Sequence, residues 1–404
     1  MIQKHTLQHF MEQVVDPSRT TVLLALEMMF QEHREAFEES FLASFRQICR
    51  DLQEQQRTGV KAKIGYITYS MLRTEIAEGR FGYLVEATDR HWFLDRHPCR
   101  YEYEADWALR AFKLLEEELE KGSVNYPAVL TRIKLEKLLL QEARYIHAYV
   151  VALLRFVMPR AVQLPEFQAL QLEEEFEVRA GEYMDASEAV YKSYQRTRDA
   201  VEIREWLEEK NEHDYMHEAF DDLDLSGGDY SGTDFRYSSF NNNDLAQSRF
   251  NRCILVGTRW KGSMLAGVDF SESLLVGADY SNCNLQASLF RRVEGVATRP
   301  ESLVLFAPGT EPPNFQSCSL AGADLSESFL SGSDFTGANL ENASFQQTLL
   351  DGANFIGANL KNTDFTGASL EGALFSREVV PSLHLSEEQQ KEIYVEWPNE
   401  GVMP

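Results

Sequence analysis

The stretch 89–107, DRHWFLDRHPCRYEYEADW, holds the densest set of side chains able to do chemistry. Asp89, His91, Asp95, His97 and Cys99 could together ligate a metal ion, and Arg73 with Arg90 could bind an anion. Metal sites made from local ligands repeat fixed short spacings, such as paired cysteines or a His-Glu-x-x-His helix. The spacing here follows none of them. The reading it supports is a loop packed on a helical domain, with Arg73, Asp89, Arg90, His91, Asp95 and His97 as a binding cluster. His213 and His217 stand four apart beside Glu212 and Glu218, as in a helical metal pair, but a solvated junction between domains suits them better. No GxSxG elbow, phosphate-binding loop or dinucleotide fingerprint is present. The expectation is a protein that is not an enzyme and uses no cofactor or metal. The alternative is an enzyme or maturation factor with its site near Arg73, Asp89 and His91.

The elements that must position this cluster are mainly helical. Asp16-Pro17-Ser18 opens a helix to about Arg57, with Phe37, Phe41 and Phe45 on one face. Residues 62–74 and 80–88 alternate apolar and polar in strand fashion around Glu78-Gly79, which predicts a β-hairpin directly before the cluster. Further helices are predicted from about Tyr103 to Lys121, and from Pro127 to Met158, ending before Pro159. Residues 170–184 fit either element, and a last helix is predicted from about Asp185 to Lys210. Residues 1–214 therefore read as a mainly α-helical domain with a small hairpin near 62–88.

From Phe220 onward the pattern changes in kind. Phe220, Leu225, Tyr230, Phe235, Phe240 and Leu245 begin a run of large apolar residues at every fifth position, unbroken to Phe290. A second run goes from Phe315 to Phe375. A small residue stands two positions before each centre, and Asp or Asn often stands just before it, as in GADLS (322–326) and NTDFT (362–366). A helix turns every third or fourth residue inward and a strand every second, so period five fits neither. It fits a chain that turns a corner every five residues, with Gly and Asn tolerating the tight turns. A twenty-residue period adds four sides: Phe220, Phe240, Trp260 and Tyr280 are aromatic, while Leu225, Leu245, Leu265 and Leu285 are leucine. Phe315, Phe335, Phe355 and Phe375 form an aromatic side again. Residues 291–312 break the repeat; the sides match across the break if one centre stays in the wall, and Leu305 is the expected one. Arg291, Arg292, Arg299 and Glu301 would then be loop contacts.

These units resemble the pentapeptide-repeat family, over about residues 218–376. The resemblance implies a right-handed quadrilateral β-helix for 215–376. About seven coils at strand spacing would make it on the order of 34 Å long. Residues 377–404 would be a cap and tail, with a helix in 382–397 N-capped by Ser386. Cys253, Cys283 and Cys318 occupy the small inward position and read as core fillers. Outward Ser, Asp and Asn residues lie on separate sides, so a catalytic triad among them would be accidental. The family includes protectors and modulators of DNA gyrase whose acidic rods resemble DNA, and relatives that form homodimers through the C-terminal end.

Charge separates the functional readings. The chain is 404 residues long with a net charge of -25, which disfavours direct binding of nucleic acid or an anionic membrane. Residues 216–376 hold 20 Asp and Glu against 9 Lys and Arg, a net of -11. B-DNA of the expected length would carry about 20 negative charges. The solenoid is under-charged for a faithful mimic. The favoured reading is thus an adaptor or scaffold acting by protein-protein interaction: the N-terminal domain binds a protein or peptide, basic by complementarity, and the solenoid is a rigid surface. The alternative is a DNA-mimicking modulator of gyrase or topoisomerase. The N-terminus lacks the apolar core of a signal peptide, and five cysteines without a CxxC suit a reducing compartment, so a cytoplasmic location is expected.

Overall fold

The computed structural model describes residues 2–127, 129–212, 214–296 and 308–396. The chain divides into two compact units. One is built on Met1–Arg196, to which Gly309 also belongs, and the other on Thr197–Thr298 and Thr310–Pro404.

In the first unit α1 (Ile2–Phe10) continues through a wide turn into α2 (Asp16–Arg57), which packs with α4 (Asp106–Ser123) and α5 (Arg132–Ala161). A five-stranded sheet lies on this layer. Its strands are β1 (Ile64–Met71), β2 (Gly82–Thr88), β3 (Cys99–Glu104), β4 (Leu172–Glu182) and β5 (Ser187–Tyr194), in the order β3-β2-β1-β4-β5. Only the central β1–β4 pair is parallel. Alternation sorts the faces. Ile67, Tyr69, Met71, Tyr83, Val85 and Val178 are buried with the helices, where Phe41 meets Tyr69 (ring centroids 5.5 Å). Tyr66, Thr68, Glu86, Thr88, Arg100, Glu177 and Arg179 form the opposite face.

The helical expectation for this unit is therefore too narrow. Residues 170–184 are a strand, and the helix expected from Asp185 is β5, followed only at Ala200 by α7 (Ala200–Glu208). Glu173-Glu174-Glu175 and Glu177 favour a helix in isolation. Cross-strand ion pairs overrule that preference: Lys192 of β5 bridges Glu175 at 2.8 Å and Glu177 at 3.5 Å. The strands of the expected hairpin are joined through the short helix α3 (Arg73–Ala77) rather than a tight turn, in register from Tyr66↔Thr88 to Met71↔Tyr83. Helix α5 also runs past the expected stop, with Pro159 in its last turn.

The second unit opens with α7, N-capped by Asp199, whose carboxylate accepts the Val201 N–H at 2.8 Å. Ile203 and Leu207 pack with Tyr215 and Phe220 over the first end of the repeat. Four parallel bridge ladders follow, beginning at Ala219, Asp224, Asp229 and Asp234, each stepping twenty residues to its next rung. Phe220, Leu225, Phe240, Trp260, Tyr280, Phe315, Phe335, Phe355 and Phe375 are all fully buried. The aromatic rings among them stack along one side, with Phe240–Trp260 at 4.4 Å and Phe315–Phe335 at 5.0 Å. The small inward residues tie coils together: the Cys283 thiol reaches the Trp260 carbonyl (2.8 Å) and Ser263 the Phe240 carbonyl (2.6 Å). Burial pushes the Cys253 and Cys318 thiols up to about 12, so they are inert fillers.

At the interruption a ladder steps from Asp279 to Asn314, 35 residues rather than 20. The centre expected to stay in the wall, Leu305, lies outside the described residues. Gly295 takes that place instead. Glu294 bridges Leu274 and Phe329, and the Gly295 N–H donates to the Phe329 carbonyl at 2.7 Å. A Cβ on Gly295 would stand 2.9 Å from Leu330 Cδ2, so the leucine of the following coil fills the space a large centre would occupy.

The expected capping helix is also shorter. Ser386 and Gln389 do form a reciprocal cap: the Gln389 N–H donates to Ser386 Oγ (3.2 Å), and the Ser386 N–H to Gln389 Oε1 (2.9 Å). The helix is nevertheless one turn, Gln389–Glu392. Gln389 Nε2 donates to the Phe365 and Ala368 carbonyls, which pins that turn to the last coil. Tyr394–Glu396 then pairs in parallel with Leu374–Ser376 and extends a ladder by one rung.

Candidate functional site

Loop 89–98 joins β2 to β3, and its keystone is Asp95. One carboxylate oxygen accepts the Asp89 N–H (2.8 Å) and the other the His97 N–H (2.8 Å). Lys61 pairs with the same carboxylate and also donates to the His97 carbonyl at 3.1 Å. Burial pushes the Asp95 carboxyl up, but Lys61 and the two backbone N–H groups outweigh it and hold the group below the ordinary carboxylate range. Asp89 in turn accepts the His91 N–H at 2.7 Å. Gly65 allows the loop to pass, since a Cβ there would meet the Arg90 nitrogen and the Asp89 carbonyl carbon at 3.0 Å.

The candidate cluster is thus a loop-building network more than a ligand set. Asp89 and Asp95 are occupied by backbone N–H groups, His91, His97 and Arg90 are exposed, and Cys99 faces the helical side, where its thiol contacts Gln55 (2.8 Å). Arg73 stands apart, in an ion pair with Glu182 at 2.5 Å. No group of metal-ligating side chains is assembled among the described residues. In the second unit Arg291 pairs with Asp324 (2.5 Å) and Arg292 with Glu272 (3.0 Å), so both belong to the wall. Arg299, Glu301 and His213 lie outside the described residues, and His217 stacks on Tyr237 at 5.4 Å.

What the loop builds is one side of a cleft of about 500 Å³ on the open face of the sheet. Thr68, Glu86, Thr88 and Arg100 form its floor, Trp92 and Phe93 one rim, and Tyr183, Met184 and Asp185 the other. Trp92 lies flat on Tyr66 (5.0 Å, 14°), with Phe93 stacked on it (4.3 Å) and the Arg179 guanidinium over the indole at 4.8 Å. Arg179 is fixed by Glu177 and by the Ser187 carbonyl at 2.7 Å. Floor and rim are unsatisfied in different ways. The Thr68 and Thr88 hydroxyls are buried without a hydrogen-bond partner. Phe93 is 65% exposed and Met184 78%. Trp92 (φ 51°) and Met184 (φ 60°) are the only non-glycine residues of the first unit, among those described, with positive φ. Such conformations cost roughly 1–3 kcal/mol for a bulky side chain.

A second cavity of about 340 Å³ lies on the other side of the β4–β5 turn, lined by His147, Gly181, Glu182, Asp185, Ser187 and Glu188. His147 Nδ1 is 2.8 Å from the Tyr83 hydroxyl in the core. Burial, aided by Arg155 and opposed by Glu188, lowers its pKa to about 4, so the ring is neutral.

The cleft residues other than Asp95 escaped the sequence reading. Tyr183 and Met184 fell in a segment that fitted either element, Asp185 stood at the start of an expected helix, and Thr68, Glu86 and Thr88 are the polar members of alternating strands. The one available signal was Trp92-Phe93-Leu94, an apolar triplet inside a polar loop.

Residues 314–350 and 338–377 match the pentapeptide-repeats family, in 8 copies. No curated protein is similar to this chain. Similar solved structures include full-length QnrB1, a plasmid-mediated fluoroquinolone resistance protein, at 16% identity over 47% of this chain and 88% of that one, with a TM-score of 0.29. HetL, a pentapeptide repeat protein involved in heterocyst differentiation regulation in the cyanobacterium Nostoc, is 18% identical over 45% of this chain and 98% of its own, with a TM-score of 0.18. A pentapeptide repeat protein of the Arabidopsis thaliana thylakoid lumen is 24% identical over 43% of this chain and 73% of its own, with a TM-score of 0.18. With the period of five, the four ladders and the family match in agreement, the C-terminal part of this chain belongs to the pentapeptide-repeat family.

Proposed function

We propose that this protein is a non-enzymatic adaptor: the cleft of the first unit receives a protein or peptide, and the repeat wall is a rigid surface for a second contact. The observation that carries the reading is the coincidence on the two rims of backbone strain and exposed apolar side chains. A chain that spends several kcal/mol to hold Trp92 and Met184 in left-handed conformations, beside exposed Phe93 and Leu94, recovers that cost when a partner covers them. The network around Asp95 serves the same end by fixing the loop before binding, which reduces the entropy lost on association.

The charge on the repeat wall favours this reading over a polyanion mimic. Arg249–Asp229 (2.8 Å), Arg252–Glu272 (2.8 Å) and Lys361–Glu341 (2.7 Å) pair across coils, so cations neutralise part of an already modest acidic surface. The test compares full-length protein with a Phe93→Ser/Met184→Ser variant as baits in native lysate, by quantitative mass spectrometry. Both positions are exposed, so the variant is expected to fold. The reading expects a defined partner held by the parent and lost by the variant. Identical captures by both baits would refute it, and a type II topoisomerase held equally by both would move the function to the repeat wall.

A further inference from the structure

The chemistry of the cleft specifies what kind of segment it takes. Its lining includes three carboxylates, Glu86, Asp95 and Asp185, against one cation, Arg100. Arg100 is spent on Glu86 at 2.9 Å, and Asp95 is spent on Lys61 and two backbone N–H groups. Asp185 differs from both. Its carboxylate accepts only the adjacent Ala186 N–H, at 2.8 Å, and it has no ion pair among the described residues. It is exposed, directly beside Met184 and Tyr183, across the cleft from Phe93. A free carboxylate at the end of an aromatic and thioether channel is complementary to a side chain with an apolar stem and a cationic head.

We infer that the cleft binds an extended basic peptide segment of a partner protein, with one lysine or arginine side chain lying along Phe93 and Met184 and its charge at Asp185. This rests on the cleft being the binding site proposed above and adds the identity of the occupant. A neutral polar head would leave Asp185 unpaired beside apolar groups, and an acidic head would meet its uncompensated carboxylate. The polar floor takes part without charge: the unpartnered Thr68 and Thr88 hydroxyls can each donate to or accept from a peptide group laid along it. The Coulomb part of the contact is exposed, so it weakens as salt rises.

The test is a selection of phage-displayed random dodecapeptides on the full-length protein, followed by fluorescence polarisation of the selected peptides with parent, Phe93→Ser and Asp185→Asn proteins. Asn at 185 still accepts the Ala186 N–H, so the turn is retained. The expected result is a set of peptides that depend on Phe93 and share a lysine or arginine. Replacing that residue by glutamine should weaken binding about fivefold in the parent and not at all in Asp185→Asn. Phe93-dependent peptides without a shared basic residue, or with a neutral lysine-to-glutamine change, would overturn the inference and leave the cleft as the binding site. A selection that yields no Phe93-dependent peptide would overturn both.

Discussion

Replacing Lys61 by methionine removes one partner of a pair whose side chains are 4% and 5% exposed. Breaking a buried pair from one side costs about 3–5 kcal/mol, because the remaining charge stays desolvated. Asp95 keeps the Asp89 and His97 N–H donors, which solvate part of its charge, so the lower end applies and the loss is about 3 kcal/mol. The loss is local, since Asp95 closes loop 89–98 and not the sheet. At roughly a factor of ten per 1.4 kcal/mol, exchange of the Asp89 and His97 amide hydrogens should accelerate on the order of 100-fold. Amides of the β1–β2 pair near Tyr69 and Val85 should be unchanged. Hydrogen exchange is the suitable assay, because a chain of two units has no single unfolding transition to assign. The Lys61→Met/Asp95→Asn double variant supplies the internal check. It removes both charges and keeps one acceptor oxygen, so it should recover the protection lost in the single variant at one of the two amides. An exchange change below about threefold, or a double variant as open as the single one, would refute the assignment of Asp95 as the charge that must be compensated.

His147 titrates near 6.5 in the unfolded chain but at about 4 in the folded one. The unfolded state therefore binds the extra proton between those values, and stability of the first unit should fall by up to about 3 kcal/mol as pH drops from 6.5 to 4; His147→Gln, which still accepts from Tyr83, should flatten that slope in exchange measured at Tyr149 and Val150. The depressed Asp95 carboxyl acts in a separate window, because its contribution is present above the ordinary carboxylate range and is lost only as pH falls through its lowered value. In the repeat the Tyr280 hydroxyl is buried without a partner, while its ring stacks on Phe315 at 5.2 Å. Tyr280→Phe keeps the stack and removes the unsatisfied group, so exchange of the Tyr280 and Asn314 amides, which bond across coils, should be equally or more protected, by about 1 kcal/mol. A clear destabilisation would mean that the hydroxyl has a partner.

The repeat was legible because its code is redundant. Every fifth residue, every twentieth residue and the corner glycines and asparagines report the same geometry, and a single exception such as Gly295 does not disturb the rest. The first unit has no such redundancy. Its β4 opens with a run of glutamates that favours a helix, and partners that lie beyond the strand in sequence, Lys192 for Glu175 and Arg196 for Glu174, hold them as strand residues. The tail failed for a related reason: Ser386 and Gln389 wrote a correct helix start, but Gln389 also bonds the carbonyls of the last coil, and no local pattern records that contact. At the site, the carboxylates and imidazoles of 89–97 were visible as chemistry, yet the structure uses Asp89 and Asp95 to fold the loop. The cleft itself depends on residues from β1, β2, β3 and the β4–β5 turn, which only strand order brings together.

In the proposed reading the two units divide recognition along physical lines. On the repeat wall the outward charges sit on ladders and find partners one coil away, as in Arg252–Glu272–Arg292, and polar side chains do the same, as Asn359 donates to Asn339 at 2.8 Å. Groups already paired offer a partner little electrostatic gain, because each new contact must first displace an existing one. Such a wall can discriminate by shape, and its stiffness keeps the entropy cost of docking low. The cleft is the opposite case. It has an unpaired carboxylate, two buried hydroxyls without partners and apolar rims held outward at a conformational cost, and each of these improves on contact. Binding free energy should therefore concentrate in a few cleft residues, with Phe93, Met184 and Asp185 dominant, while single substitutions on the repeat wall change affinity little.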